Sequence, residues 1–336
     1  MLSQQENDLN NLYNRKAREL ASVLRKFRST SGGSVWKGNK SIEAQLDKIL
    51  EGMEVEYKDF LLTNLTAAQD LSNREIDDIT KKYLVGVRID TAKKESMLFR
   101  NTQALAAWRN VRVNGLDASG RVWNLSTQTK EQMTAFVASG IAEGRDAASL
   151  SRDIRGFLKE PDKRFRRVRD ENGKLQLTAP GKDYHPGQGV YRSSYRNALR
   201  FTRNETNIAY RQAEYERRKT LDFVKGIKVN LSNAHPRYDI CDELQGTYPK
   251  GFRFLGWHPQ CLCFTTTVLM SEKEFINFVN TGKRTTSNID AIPKRAQDYL
   301  NGVSERIKGW QNKPYFIRDN FKNTKGGFAV KKSVVA

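Results

Sequence analysis

The 336-residue chain carries 58 Lys and Arg residues against 38 Asp and Glu residues, which gives a formal net charge of +20 at pH 7. This excess of positive charge indicates a polyanionic partner, and DNA is the obvious candidate. The sequence has no 18-residue apolar run, no signal peptide and only three cysteines. These features argue against a membrane protein and against a disulfide-stabilised secreted protein, so we expect a soluble protein made in a reducing cytoplasm.

The positive charge is unevenly distributed along the chain. Residues 1–150 hold 22 basic and 19 acidic side chains, whereas residues 151–219 hold 18 and 9, and residues 220–336 hold 18 and 10. We therefore expect the DNA-contacting surface in the last two segments and another role for the first segment.

Hydrophobic periodicity predicts a helical bundle in that first segment. Apolar residues recur at helical spacing over residues 3–28 and again over residues 41–71. Ser72 or Asn73 is predicted to cap a third helix, and a fourth helix is predicted at 90–111. Long, weakly charged helices of this kind are suited to docking on other protein subunits.

The elements that follow lead into a basic loop. Residues 115–121 are predicted to be a turn-rich connector before a short strand at 122–125, and a helix is predicted at 127–142. Residues 165–177 are compatible with a hairpin that turns at Glu171-Asn-Gly. Five basic residues lie close to Phe165 in the sequence, a composition that suits phosphate contact. They are Lys163, Arg164, Arg166, Arg167 and Arg169. A solvated surface loop is an equal alternative.

The longest helix of the core is predicted at 190–220. Its arginines follow one another at steps of three, four or eight residues, so we expect a cationic stripe on one helix face made of Arg192, Arg196, Arg200, Arg203 and Arg211. Glu205, Glu214 and Glu216 lie on the same helix and can neutralise part of the stripe. The stripe and the basic loop contain no recognisable base-reading motif, so we expect them to contact double-stranded DNA non-specifically.

The three cysteines and two of the three histidines cluster within one short stretch of the C-terminal half. The spacing Cys241-x16-His258-x2-Cys261-x-Cys263 offers three thiolates and one imidazole, the Cys3His set of a tetrahedral structural zinc site. Cys261 and Cys263 lie two positions apart, so on a strand they share one face. The alternative is that these cysteines are small buried hydrophobes at the start of a strand. His235 is a further potential ligand that this set of four does not require.

Alternating apolar residues predict strands at 227–231 and 262–269, which are expected to pair around the Cys/His loop. Helices are predicted at 271–280 and 293–308, and the aromatic residues beyond them are expected to anchor the tail onto a partner or onto its own domain. Residues 331–336 are expected to be disordered. The predicted fold class is α+β, predominantly helical, with an N-terminal helical bundle followed by a small mixed α/β core that holds a Cys/His loop between two strands.

Three blocks of sequence carry a resemblance to a known family. They are Ala138-Ser-Gly-Ile-Ala-Glu-Gly-Arg-Asp with Leu150-Ser-Arg-Asp-Ile-Arg, then Arg203-Asn-Glu-Thr-Asn-Ile-Ala-Tyr, and then Asp239-Ile-Cys-Asp with His258-Pro-Gln-Cys-Leu-Cys. In this order they resemble the signature of the phage Mu F-like head morphogenesis proteins, also called minor capsid or minor head proteins. The usual signature ends in His-Pro-x-Cys-Arg-Cys, and here Leu262 stands where arginine is common.

The resemblance implies a structural protein of a tailed bacteriophage, located in the capsid interior or at the portal vertex and in the host cytoplasm during assembly. Its implied partners are the portal or major capsid protein and packaged DNA. On this interpretation residues 1–125 form a helical docking region, residues 126–270 the Mu F-like core, and residues 271–336 a helical, basic and aromatic tail. A fragment that starts near Ser126 is expected to fold by itself.

Enzymatic functions find less support in the sequence. A His-Asn-His nuclease needs a metal-binding histidine or asparagine on a helix downstream of its general base, and no histidine follows His258. An ADP-ribosyltransferase needs a Glu-x-Glu motif well downstream of Ser-Thr-Ser, whereas Glu272-Lys-Glu274 lies only five residues past Thr267. We therefore expect no catalysis, and the alternative is a DNA-processing enzyme or toxin-like effector, a nuclease or an ADP-ribosyltransferase, targeted to the capsid.

Overall fold

The computed structural model describes residues 2–26, 40–103, 106, 118–142, 153–154, 156–160, 167–177, 182, 189–235, 237–285, 288–311, 313–325 and 327–335. Over these residues the protein is mostly helical, with long N-terminal helices and a small antiparallel sheet beside the Cys/His group. The predicted α+β, predominantly helical class is therefore confirmed. Within the same ranges no helix is both long and apolar enough to cross a membrane.

Long helices dominate the N-terminal half, as hydrophobic periodicity predicts. They are α1 (Leu2–Lys26), α2 (Lys40–Tyr83), α3 (Thr91–Leu98) and α4 (Ala118–Ala142). The cap predicted at Ser72 or Asn73 is wrong, because α2 continues through both residues and buries them, and tertiary packing outweighs their preference for helix ends. The short strand predicted at 122–125 is also wrong, because Val122 and Leu125 lie three apart on the buried face of α4.

Short strands and helices alternate in the C-terminal half. The hairpin predicted at 165–177 is confirmed as β1 (Arg167–Arg169) paired with β2 (Leu175–Leu177). The predicted long helix is α5 (Ser194–Lys219), which follows a 3-10 turn at Gly189–Arg192. The remaining elements are β3 (Val224–Asn230), α6 (Ile240–Leu244), β4 (Gly246–Pro249), β5 (Phe264–Leu269), α7 (Glu272–Thr281), α8 (Lys294–Gly302), α9 (Ser304–Lys308), α10 (Tyr315–Asn320), β6 (Phe321–Thr324), β7 (Gly327–Val330) and α11 (Lys332–Val335).

The chain divides into two compact units. Unit 1 comprises Met1–Asn64 and Val111–Arg203, and unit 2 comprises Leu65–Asn110 and Asn204–Ala336. Helices α2 and α5 each contribute residues to both units. The boundaries predicted from the sequence at residues 125 and 270 do not coincide with the limits of either unit.

Unit 1 is built on the amphipathic faces of its helices. Their buried apolar residues include Leu9, Leu20, Leu46, Leu61, Met133, Phe136 and Ala198. The hydroxyl of Tyr57 on α2 donates a hydrogen bond to the carbonyl of Ala198 on α5 over 3.0 Å. The ring of Tyr13 on α1 meets that of Tyr195 edge-on, with 5.4 Å between centroids. These contacts tie the first part of α5 into the bundle.

Unit 2 contains a three-stranded antiparallel sheet in the order β4-β3-β5. In the central strand, Ile227 lies opposite Tyr248 of β4 on one side and Thr267 of β5 on the other. The predicted pairing of the 227–231 and 262–269 strands is thus confirmed. The third strand, β4 (Gly246–Pro249), lies on the other side of β3.

Residues of α2 and α3 also belong to the core of unit 2. Tyr83 stacks on Phe223 with 4.3 Å between ring centroids, and its hydroxyl donates to the carbonyl of Met270 over 2.6 Å. Arg217 is buried and pairs with Asp77 at 2.5 Å. A fragment that starts near Ser126 would lack these partners and leave a buried charge unpaired, so we do not expect it to fold by itself, in contrast to the expectation from the sequence.

The aromatic tail anchors on its own unit. Phe316, Phe321 and Phe328 are buried in the same cluster as Trp257, and Phe316 meets the Trp257 ring edge-on at 5.2 Å. The buried Asn320 side chain accepts from the amide of Arg253 over 2.7 Å and donates to its carbonyl over 2.9 Å. The disorder expected at 331–336 is contradicted for residues 332–335, which form α11 and bury Val334.

The tail therefore supplies part of the core that surrounds the Cys/His group. Replacing Phe316 by Ala should lower the free energy of unfolding of unit 2 by about 3–5 kcal/mol, because a fully buried ring leaves a cavity. The matched control is Trp310→Ala, since Trp310 is 41% exposed, and it should cost below about 1 kcal/mol. Denaturant unfolding measured by circular dichroism would compare the two, and equal losses would contradict this packing.

Candidate metal centre

Cys241 is positioned by the N-terminus of α6. Asp239 caps this helix, and its carboxylate accepts a hydrogen bond from the amide of Cys241 over 2.6 Å. The carboxylate of Asp242 accepts in return from the amide of Asp239 over 2.8 Å, which completes a capping box. The local sequence Asp-Ile-Cys-Asp thus places the Cys241 thiol at the start of a helical turn, where it is fully buried.

A tight turn positions His258 and Cys261. The amide of Cys261 donates to the carbonyl of His258 over 3.2 Å, with Pro259 in the second position and Gln260 at φ 62° in the third. Proline in the second position and a positive φ in the third are typical of a type II turn. The amide of Gln260 donates to the Asn204 side chain over 3.1 Å, which holds the turn against α5.

The chain beyond the turn alternates between buried and exposed side chains. Cys261 and Cys263 are buried, whereas Leu262 between them is 44% exposed. Both thiols therefore lie on the inner face, as their spacing predicts. The fold thus brings the two parts of the sequence motif together, Asp239-Ile-Cys-Asp and His258-Pro-Gln-Cys-Leu-Cys.

The ligand atoms of Cys241, His258 and Cys261 lie within 4.8 Å of one another. The Cys241 sulfur is 3.1 Å from His258 Nε2 and 3.8 Å from the Cys261 sulfur. Two Zn–S bonds at a tetrahedral angle place their sulfurs roughly 3.8 Å apart, and a Zn–S and a Zn–N bond place S and N roughly 3.5 Å apart. The separations thus fit a tetrahedral metal site with little movement.

The imidazole is oriented for this role. His258 Nδ1 lies 2.8 Å from the carbonyl of Pro259, which can only accept, so we assign the proton of the neutral imidazole to Nδ1. Nε2 lies 3.1 Å from the Cys241 sulfur and 3.4 Å from the Asp239 carboxylate, and in this tautomer it offers the lone pair that a metal ligand requires.

The thiols share their protons unequally. Hydrogen bonds from the Cys241 and Cys263 thiols lower the pKa of Cys261, and the Arg211 guanidinium acts in the same direction. The contacts with Cys261 and Cys263, together with burial, raise the pKa of Cys241. Cys261 is therefore the thiol of the group that ionises most readily. Cys263 belongs to the same cluster, because its thiol interacts with those of Cys241 and Cys261. The buried group of Cys241, His258, Cys261 and Cys263 could bind a metal such as zinc.

His235 lies next to this group but has another partner. Its Nε2 is 3.0 Å from the Asp242 carboxylate and 3.7 Å from that of Asp239. His235, Asp239 and Cys241 form a second set of close potential ligands. Both carboxylates already serve the α6 capping box, so His235 acts first as a hydrogen-bond partner of the cap.

The close Cys241 and His258 side chains also raise the question of a cysteine nucleophile. A nucleophile must be reached by its substrate, and Cys241 has no exposed surface. The His258 proton that such a mechanism would move lies on Nδ1, on the side away from the thiol. The pair is better suited to holding a metal than to attacking a substrate.

The residues predicted to contact DNA are found in different settings. Lys163, Arg164 and Arg166 lie outside the described residues, and Arg167 and Arg169 lie in β1. Three arginines of the predicted stripe engage neighbours: Arg196 pairs with Glu160 at 3.1 Å, Arg203 pairs with Glu6 at 2.5 Å, and Arg200 stacks over the Tyr191 ring at 4.6 Å. Arg192 is exposed.

Arg211 departs from the predicted surface stripe. Its side chain is buried, and it donates hydrogen bonds to the carbonyls of Leu255, Cys261 and Cys263. Helical spacing placed it correctly on α5, but the Cys/His loop covers the helix at this point. Its assignment to the DNA-contacting surface is therefore wrong.

Comparison of the chain with protein-family models, with curated proteins and with solved structures found no match. The family resemblance thus depends on the three sequence blocks alone. Sequence reasoning missed the part that Arg211 and Gln260 play in the loop. The proline before Gln260 was a usable signal for the turn, whereas nothing in the spacing of the arginines separates a buried one from an exposed one.

We expect purified protein to hold one zinc ion per chain. Cys241→Ser and His258→Ala should each lose it, because each removes a ligand. Metal affinity should fall as the pH falls, because protons compete for the thiolates and the imidazole. Elemental analysis of protein purified without added metal would measure the stoichiometry.

The matched control for His258→Ala is His235→Ala, which should keep the metal. If His235→Ala loses the metal and His258→Ala retains it, the ion belongs to the set of His235, Asp239 and Cys241 instead.

Proposed function

We propose that this protein is a structural, non-enzymatic minor head protein of a tailed bacteriophage that resembles the Mu F-like head morphogenesis proteins. It would act in capsid assembly at the portal or inner capsid and contact packaged DNA non-specifically. The observation that carries the proposal is the convergence of Asp239-Ile-Cys-Asp with His258-Pro-Gln-Cys-Leu-Cys. The third of the three blocks that carry the resemblance supplies the residues of the buried Cys/His group, which is the expected result if that motif exists to form the group.

The metal centre has a structural role in this proposal. Cys241, His258, Cys261 and Cys263 would hold one zinc ion with all four positions filled, as in structural rather than catalytic sites. A bound zinc would supply a cross-link between α6 and the start of β5. The protein's own residues prepare the site, since the capping box fixes Cys241 and the His258–Cys261 turn fixes the other side.

Charge supports the proposed contact with DNA. Residues 151–336 carry most of the positive excess, and Arg192 and Arg196 are exposed. The pairs Arg196–Glu160 and Arg203–Glu6 have partly exposed side chains, and exposed ion pairs contribute about 0–1 kcal/mol. A phosphate can therefore compete for these guanidinium groups at little cost.

We assign the proposed docking on portal or capsid subunits to the N-terminal helices. The tail is a poor docking element because Phe316, Phe321 and Phe328 are buried. Exposed apolar side chains on or beside the N-terminal helices include Val55 and Val85. A protein partner that covered them would remove this apolar surface from water.

We expect DNA binding to be independent of sequence and steeply dependent on salt. Replacing Arg192, Arg196, Arg200 and Arg203 together by Gln should reduce the slope of log K against log salt by as much as about 3–4, because each lost phosphate contact contributes about 0.9. Filter binding on two unrelated duplexes would measure it.

A variant with the same loss of charge in the weakly charged part of the chain is the control. Lys48, Lys58, Lys81 and Lys82 are exposed, and replacing all four by Gln should change the slope much less. A strong preference for one duplex, or equal effects of the two sets, would contradict the proposed DNA surface.

In phage particles we expect the protein to be present in far fewer copies than the major capsid protein, because a minor head protein acts at the portal or inner surface. Quantitative mass spectrometry of purified particles would give the copy number. Protein that remains entirely in the unassembled fraction of the lysate would contradict a role in the virion and leave the capsid-targeted enzyme as the better hypothesis.

A further inference from the structure

The side chain of Arg211 reaches from α5 into the back of the Cys/His loop. Nη1 donates to the Leu255 carbonyl over 2.9 Å, and Nη2 donates to the carbonyls of Cys261 over 2.7 Å and Cys263 over 2.6 Å. The guanidinium also lies over the Phe254 ring at 5.0 Å. One side chain thus holds the backbone on both sides of the His258–Cys261 turn.

This guanidinium is buried without a carboxylate among its hydrogen-bond acceptors. Glu214, one turn further along α5, forms a 2.7 Å ion pair with Arg218 and also accepts from Thr265. Two other buried arginines of α5 follow the usual rule, since Arg217 pairs with Asp77 and Arg218 pairs with Glu214. A buried charge is costly without negative charge close by. Glu214 attracts Arg211 but is already paired with Arg218, so the positive charge of Arg211 calls for a further negative group.

The thiols are the groups that can supply it. Three thiolates and one neutral imidazole around Zn²⁺ carry one net negative charge. Arg211 is held on the backbone of Cys261 and Cys263 themselves, so negative charge on their thiols acts directly on the guanidinium. The zinc complex and the guanidinium together are neutral.

We propose that Arg211 is a positioning residue that balances the charge of a zinc-bound Cys3His site and so selects this ligand set and sets its metal affinity. The proposal rests on the zinc centre proposed above. It also explains Gly256: a Cβ atom there would come within 2.8 Å of Arg211 Nη1, and the residue has φ +122°. Glycine is the residue that allows the guanidinium to reach the Leu255 carbonyl.

The test compares Arg211→Lys with Arg211→Gln in the full-length protein. Both side chains are shorter than arginine and both can donate to a carbonyl, but lysine alone keeps the charge. Arg211→Gln should weaken zinc binding by about 10–100-fold, in the range typical of groups behind metal ligands, and Arg211→Lys should bind more tightly than Arg211→Gln. Competition with a chromophoric chelator would give the zinc affinities, and the sulfur-to-metal absorption of the Co²⁺-loaded protein would report the number of thiolates bound.

Lys219→Gln is the control for loss of a positive charge on the same helix, because Lys219 is exposed and its replacement should leave zinc affinity unchanged. Equal weakening by Arg211→Lys and Arg211→Gln would mean that the carbonyl contacts matter and the charge does not, and would overturn the proposal. Unchanged affinity in both would also overturn it. A wild-type protein that binds neither zinc nor Co²⁺ would contradict the proposed zinc centre itself. The other two outcomes contradict only the proposed role of Arg211.

If Arg211→Gln fails to fold, the double variant Arg211→Gln with Cys263→Ser carries the test. Removing one thiolate lowers the negative charge of the site by one, so more of the double variant than of Arg211→Gln should be folded. The loss in free energy of unfolding caused by Arg211→Gln should also be smaller in the Cys263→Ser background than in the wild-type background. A double variant that is no better folded than Arg211→Gln would contradict charge balance.

Discussion

Much of unit 2 depends on the buried contact between Cys241 and the turn that carries His258 and Cys261. These residues come from separate parts of the sequence. Cys241 lies on the short capped helix α6, whereas His258 and Cys261 lie in the turn that precedes the edge strand β5. The turn requires a positive φ at Gln260, a conformation that costs a non-glycine residue roughly 1–2 kcal/mol. The turn is held in place by the hydrogen bond that the Gln260 amide donates to Asn204 and by the one that Arg211 donates to the Cys261 carbonyl, and these bonds offset that cost.

The core around this contact is completed by the end of the chain. Trp257 packs among aromatic residues from the Cys/His loop and from the tail, so the sheet and the tail share one hydrophobic cluster. Asn320 extends the arrangement, because its side-chain amide pairs with the Arg253 backbone much as a neighbouring strand would. The tail is thus part of the structure that supports the Cys/His group, and its buried rings Phe316, Phe321 and Phe328 are not available to a partner.

The positive charge of the chain is not all surface charge. Arg211, Arg217 and Arg218 are buried in unit 2, where two of them pair with carboxylates and Arg211 donates to the carbonyls of Leu255, Cys261 and Cys263. Other arginines of α5 in unit 1 are exposed or partly exposed and hold weak ion pairs. One helix therefore carries buried guanidinium groups that cross-link the fold and exposed ones that we propose bind phosphate.

The sequence by itself determined the helical periodicity, the hairpin at 165–177, the pairing of the 227–231 and 262–269 strands, and the set of residues that form the Cys/His group. These features depend on local spacing and on residue chemistry, which a sequence displays directly. Only the tertiary structure decided that α2 continues through Ser72 and Asn73, that the tail fills the core, and that Arg211 turns inward. The reason is that burial is set by the neighbours of a residue, and those neighbours are distant in the chain: Asp77 meets Arg217, and Phe316 meets Trp257. No local pattern distinguishes an arginine that such neighbours cover from one that they leave in water.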